Sequence, residues 1–146
     1  MPLSCLTWAL VSGKTVISLT AIKRLLEAGE DHRVLIIGPL RVARDTWPDE
    51  VRKWDHLADL KVAVAVGTPK ERVAAFQSDA QVVTIGRDNV DWLVNKSHLP
   101  VTWDMIVIDE LSSFKSYNSQ RSKALYKLQP YMRRMVGLTG TPASNG

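Results

Sequence analysis

Five short runs rich in β-branched and other apolar residues recur along the chain, at Val34 to Gly38, Val62 to Val66, Val82 to Ile85, Met105 to Ile108 and Met135 to Leu138, and polar, helix-like stretches separate them. Four of the runs are apolar throughout, with no polar residue at alternate positions. A strand with one face in water alternates, whereas a strand covered on both faces does not, so such runs belong to a parallel sheet sandwiched between helices. The intervening segments Lys14 to Ala28, Asp45 to Trp54, Pro69 to Gln77, Asp88 to Asn95 and Ser119 to Leu128 carry helical spacing or helix-start signals. Asp45 and Asp88 stand where N-caps belong, Pro48 falls in a first turn where its missing N–H costs nothing, and Gly29 follows the first helix as a C′ residue. Alternating strands and helices specify an α/β domain with a mainly parallel sheet.

At 146 residues, the chain is expected to form one domain spanning 1–146. A domain of this size buries roughly 70% of its unfolded surface and needs no disulfide or structural metal. Cys5 is the single cysteine, so no intrachain disulfide is expected. His32, His56 and His98 are too far apart for a zinc site. No apolar run reaches the ~18 residues of a membrane span, and the first residues lack the pattern of a signal peptide, which points to the cytoplasm. Nineteen Lys and Arg against fifteen Asp and Glu give a net charge of +4, only a mild bias toward polyanions.

Three segments carry candidate chemistry. Ser12-Gly13-Lys14-Thr15 leads into the apolar helix beginning at Val16. Backbone donors at a helix start, with a lysine, cradle the β and γ phosphates of a nucleotide, and a threonine hydroxyl there ligates Mg²⁺. Taken alone, the tripeptide serves equally as an ordinary helix entry. Met105 to Ile108 runs into Asp109-Glu110, two carboxylates at the carboxyl end of a buried strand, where α/β proteins bind ligands. There Asp109 could hold Mg²⁺ and Glu110 could position an attacking water. Gly137-Leu138-Thr139-Gly140-Thr141-Pro142 ends another strand with hydroxyls and a glycine.

In this order and spacing, the segments resemble the first RecA-like lobe of superfamily-two DEAD/DEAH-box helicases, specifically the Swi/Snf-like branch found in chromatin remodellers and phage helicases. The resemblance implies a three-layer α/β RecA-like P-loop domain. Gly13, Lys14 and Thr15 would bind ATP, Thr15 and Asp109 would hold Mg²⁺, and Asp109 and Glu110 would be catalytic. Thr139, Gly140 and Thr141 would couple the nucleotide to the rest of the protein. Pro39-Leu40-Arg41-Val42 is similar to a motif whose loop contacts the DNA backbone, so Arg41 and Arg44, with Arg87 and Lys115 on neighbouring loops, become nucleic-acid candidates. Solvated arginines are the alternative at those positions. Contacts of this kind carry affinity and salt dependence rather than sequence information. The implied partners are DNA, in double-stranded form, and a second RecA-like lobe. Trp47 and Trp54, seven residues apart, are expected to share one helix face turned to the core.

Two departures from the family pattern stand out. A full phosphate-loop pattern places a glycine five residues before Gly13, where this chain has Trp8, and the family's Asp-Met-Gly-Leu-Gly is replaced by Leu6 to Val11. The codons for Trp8 and Ala9 contain NTG-GGC in the neighbouring reading frame, which spells Met-Gly when N is A. Residues 1–11 therefore read as a segment translated out of frame and foreign to the fold. The chain also stops at Gly146, directly after the third motif, without the second lobe that the family's arginines come from. Weak ATP binding and negligible turnover alone are the expectation. The alternatives are a non-catalytic module that binds DNA or a helicase, and the remnant of a decayed helicase gene.

Overall fold

The computed structural model describes residues 8–12, 15–109 and 120–139. The elements in chain order are β1 (Trp8–Ser12), α1 (Thr15–Glu27), β2 (Val34–Gly38), a π-helical turn (Val42–Thr46), α2 (Trp47–Lys53), β3 (Val62–Ala65), α3 (Pro69–Gln77), β4 (Val82–Gly86), α4 (Val90–Asn95), β5 (Met105–Ile108), α5 (Gln120–Leu128) and β6 (Arg134–Thr139). Among the described residues the strands form one six-stranded sheet in the order β1-β6-β5-β2-β4-β3, and every pairing is parallel. This is the three-layer α/β arrangement of a RecA-like fold.

The unbroken apolar runs have the expected cause in β2 and β5, whereas β3, equally apolar, lies at the end of the strand order and is half-buried at Val62, Ala63 and Val64. Every residue of β2, β4 and β5 is buried. Successive side chains of a strand point to opposite faces, and they feed two separate cores. Leu35 and Ile37 join Val83, Ile85, Ile106 and Ile108 in a core with Phe76 of α3, Leu93 of α4 and Leu125 of α5. Val34 and Ile36 join Val82, Met105 and Val107 in the other, with Leu19 and Ile22 of α1 and Trp47 and Val51 of α2. At the amino edge of the sheet, buried Arg33 donates to the carbonyls of Phe76 (2.9 Å) and Ser78 (2.9 Å) and to the Thr102 hydroxyl (3.0 Å). It thereby satisfies carbonyls at the end of α3 that the helix leaves unpaired.

The structure departs from the sequence expectations at three places. β1 is an additional strand, paired along its length with β6, from Trp8 opposite Met135 to Ser12 opposite Thr139. It places residues 8–12 in the sheet. Asp45 and Asp88 are not N-caps: Asp45 lies inside the π-helical turn and Asp88 inside a 3-10 turn, Arg87–Asn89, and neither α2 nor α4 has a side-chain cap hydrogen bond. The helix expected to reach Trp54 stops at Lys53, so Trp54 takes an extended backbone, is 38% exposed and donates to Glu50 (3.0 Å). Trp47 is buried as expected, at 1% exposure. Gly29 does follow α1 with a φ of +77°, the left-handed conformation of a C′ glycine.

Pro48, just after the π-helical turn, leaves one of its carbonyls without a partner. The Trp47 N–H donates to Val42 O, an i to i−5 bond, which leaves Ala43 O without its α-helical partner. Its π-helical partner would be Pro48, which has no N–H. The orphaned carbonyl accepts instead from Thr84 Oγ1 of β4 at 2.7 Å. Thr84 is fully buried, so Thr84→Val removes the only group in this pairing that supplies the proton, at nearly constant volume. We expect a cost of about 1–3 kcal/mol in urea denaturation, with Thr84→Ser retaining most of the stability; a Thr84→Val chain as stable as the parent contradicts this.

α3 starts on a capping box, in which Thr68 Oγ1 accepts from the Glu71 N–H (3.2 Å) and Glu71 Oε1 from the Thr68 N–H (2.8 Å). The backbone hydrogen bond from Thr68 is the first cause holding the Glu71 carboxyl below its ordinary value of 4.5. A carboxyl depressed in the folded state contributes stability above its unfolded pKa and loses it as pH falls through the folded value. The stability advantage over Glu71→Gln should accordingly be constant at neutral pH and shrink in acid below about pH 4.5, the ordinary value. An advantage independent of pH down to acid would rule out a role for the charge.

Candidate functional site

Because all pairings are parallel, the carboxyl ends of the strands share one edge. Gly38 of β2 is opposite Gly86 of β4, Ile37 is opposite Ile108 of β5, Ile108 is opposite Gly137 of β6, and Thr139 is opposite Ser12 of β1. Asp109 follows β5 directly, and its N–H donates to Ile37 O at 2.7 Å, continuing the ladder with β2 by one residue. The backbone thus brings Asp109, Thr139 and the start of α1 at Thr15 to the edge formed by three adjacent strands, β5, β6 and β1. Gly13, Lys14, Glu110, Lys115, Gly140 and Thr141 lie outside the described residues, as do the side chains of Thr15 and Thr139.

Trp47 and Gly38 bear directly on the position of the Asp109 side chain. Trp47 Nε1, reaching down from α2, donates to Asp109 Oδ2 at 3.2 Å. On the adjacent strand, Gly38 makes room: a Cβ there would stand 3.1 Å from Asp109 Cβ and 3.7 Å from Val42 Cγ1. Asp109 is half-buried, so its carboxylate remains within reach of a ligand at the edge. Mg²⁺ takes one or two carboxylates together with phosphate oxygens and waters rather than an all-protein cage. A single half-buried carboxylate in a glycine-made recess at the carboxyl edge fits that requirement. The hydroxyl-bearing candidates Thr15 and Thr139 are at the same edge by backbone position.

The sequence reading treated Trp47 as packing alone. The signal that could have found its second role is the indole N–H, which needs a partner when the ring is buried. Gly38 likewise read only as the end of a strand.

The three described arginine candidates are in the helical turns that follow β2 and β4. The two segments touch: a Cβ on Gly86 would meet Leu40 Cδ1 at 3.6 Å and Leu40 Cα at 3.7 Å. Arg41 and Arg87 therefore follow neighbouring strand ends, Arg41 exposed and Arg87 half-buried. Arg44 is exposed but paired within the π-helical turn, with Nη2 to Asp45 Oδ2 at 3.1 Å and Nε to both carboxylate oxygens at 3.2 Å. Those hydrogen bonds hold the Asp45 carboxyl below its usual range. A phosphate arriving at Arg44 would have to compete with that carboxylate, whereas Arg41 has no such partner among the described ion pairs.

Gly38→Ala is the most local perturbation of the site. The added methyl requires Asp109 to move by a few tenths of an ångström, so the expected result is a folded chain with weakened Mg²⁺-dependent nucleotide binding, read by calorimetry with and without chelator. Unchanged binding by a folded Gly38→Ala chain would mean that the recess does not set the carboxylate's position.

Comparison with known proteins agrees with this architecture. The family model of the SNF2-related domain matches residues 11–146. Protein p41 of Acyrthosiphon pisum secondary endosymbiont phage 1 is 41% identical over 143 residues, covering 92% of this chain and 31% of p41. A Bacillus subtilis (strain 168) protein named "Putative ATP-dependent helicase/translocase YwqA" is 28% identical over 148 residues, covering 97% of this chain and 15% of its own length. The chain thus spans less than a third of either relative. No helix among the described residues is long and apolar enough to cross a membrane. With a six-stranded parallel sheet, helices on both faces and a family match over nearly its whole length, the chain belongs to the SNF2-related domain family, whose fold is that of the first lobe of a Swi/Snf-like helicase.

Proposed function

We propose that the chain is the ATP-binding lobe of a Swi/Snf-like DNA helicase or translocase, in which ATP hydrolysis drives movement on DNA. The observation that carries this reading is Asp109, fixed by Trp47 and Gly38 at the edge where β5, β6 and β1 end. In the proposed site, Gly13, Lys14 and Thr15 contact the phosphates, Thr15 and Asp109 hold Mg²⁺, and Glu110 positions the attacking water. Mg²⁺, when bound, neutralises charge on the β and γ phosphates. Thr139, Gly140 and Thr141 pass the state of the nucleotide to the neighbouring strand ends. Arg41, Arg44, Arg87 and Lys115 contact the backbone of double-stranded DNA, with Arg41 and Arg87 favoured by their adjacent turns.

Turnover in this reading draws on a second RecA-like lobe, whether on another chain or on a longer polypeptide. An arginine supplied across such a site is worth on the order of 10³ to 10⁵ in rate, so this lobe alone should bind Mg·ATP weakly and hydrolyse it negligibly.

A second reading, a non-catalytic module that binds DNA or a helicase chain, is favoured by β1. That strand runs through Ser12 while α1 begins at Thr15, which leaves two residues between strand and helix. A phosphate-binding loop has four residues between its two glycines, and the first glycine position here is Trp8, itself within β1. Both this geometry and the proposed out-of-frame origin of residues 1–11 weaken the nucleotide site. A decayed helicase gene is the extreme of the same reading.

Calorimetric titration of the purified chain with Mg·ATP, with Lys14→Ala and Asp109→Ala as controls, separates the two. Weak saturable binding lost in both variants supports the ATP-binding lobe. No binding by a folded chain that still binds DNA, unchanged by Lys14→Ala, supports the non-catalytic module.

A further inference from the structure

We infer that Trp47 is a positioning residue for Asp109, its indole N–H orienting the carboxylate that receives Mg²⁺; this rests on the magnesium role proposed for Asp109. The contact is a directed one. Trp47 is 1% exposed, its Nε1 lies 3.2 Å from Oδ2, and the two residues are 62 positions apart on different elements. A donor to one carboxylate oxygen limits rotation of the group, the way outer hydrogen bonds orient metal ligands generally.

The local fold holds the backbone that carries the indole. Trp47 N–H donates to Val42 O, and Thr84 of β4 secures the orphaned Ala43 O. The ring itself packs in the core with Leu19, Ile36 and Val107. Packing alone would be satisfied by any large apolar side chain. What phenylalanine would lack is the N–H, and with it the bond to Asp109.

Arg41 directly precedes the π-helical turn, which contains Arg44. A shift of this turn on contact with a polyanion would therefore reach Asp109 through a single side chain.

Two measurements on the full chain test the assignment. Titration with ATP in Mg²⁺ and in chelator gives the gain in affinity due to the metal. Loss of an outer partner of a metal ligand typically weakens binding about 10–100-fold, so Trp47→Phe should cut the metal-dependent gain about tenfold and leave metal-free ATP binding unchanged. It should have no further effect in an Asp109→Ala background. A folded Trp47→Phe chain with the full gain overturns the inference and leaves the ATP-binding reading intact. A parent chain with no metal-dependent gain overturns that reading and the inference with it.

Should Trp47→Phe fail to fold, the indole N–H resonances of the parent chain decide the matter. Asp109→Asn should shift one of the five indole signals, and that same signal should move when Mg·ATP is added. If Asp109→Asn shifts none of them, the hydrogen bond is absent and the inference falls.

Discussion

Parallel pairing is the constraint on which the rest of this structure depends. Six strands running one way need helices on both faces to return the chain, and the helices bury the central strands completely. That burial explains why these strands are apolar apart from Thr84, whose hydroxyl has the Ala43 carbonyl as its partner. It also explains why polar groups gather where they do: Asp109 and the glycines Gly38 and Gly86 stand at one end of the strands, and Arg33, Asp31 and Arg134 at the other. At the amino end Asp31 is buried with its carboxyl 3.2 Å from Arg134 Nε, and desolvation is the first cause raising that carboxyl above its ordinary value. The carboxyl end is recessed, as a ligand site requires.

The recess is made by small exceptions to regular structure. Gly38 omits a side chain where Asp109 needs space. One turn of helix takes π form, Pro48 lacks the N–H that would pair with Ala43 O there, and Thr84 compensates that carbonyl. Departures of this type often accompany functional sites. Here they place a buried indole donor against a carboxylate on another element.

Much of the fold was legible in the sequence because it follows from local pattern. The unbroken runs announced β2 and β5, the run Val82 to Ile85 announced β4 despite Thr84, and the helical stretch Pro69 to Gln77 coincides with α3. Asp45 and Asp88 misled for a physical reason: an acidic residue ahead of an apolar stretch has the look of a cap, but the π-helical turn and the 3-10 turn at Arg87–Asn89 moved the helix starts beyond them. Trp54 misled because seven-residue spacing implies a shared face only while the helix continues, and it ends at Lys53. β1 was missed because its one pairing partner, β6, is more than a hundred residues away. At the site, the sequence could name Asp109 by its place after an apolar strand, but not Trp47, since its bond to Asp109 exists only after β5 and α2 have packed. The family match and the relatives named above agree with the motif reading at the level of the lobe.

The most direct test of the account is a crystal structure of the chain with Mg²⁺ and a non-hydrolysable ATP analogue. The account predicts a metal about 2.1 Å from an Asp109 oxygen or joined to it through one water, with Trp47 Nε1 still donating to Oδ2. A nucleotide bound away from the carboxyl edge of the sheet, or a metal at that edge with Asp109 turned away from it and from Trp47, would contradict it.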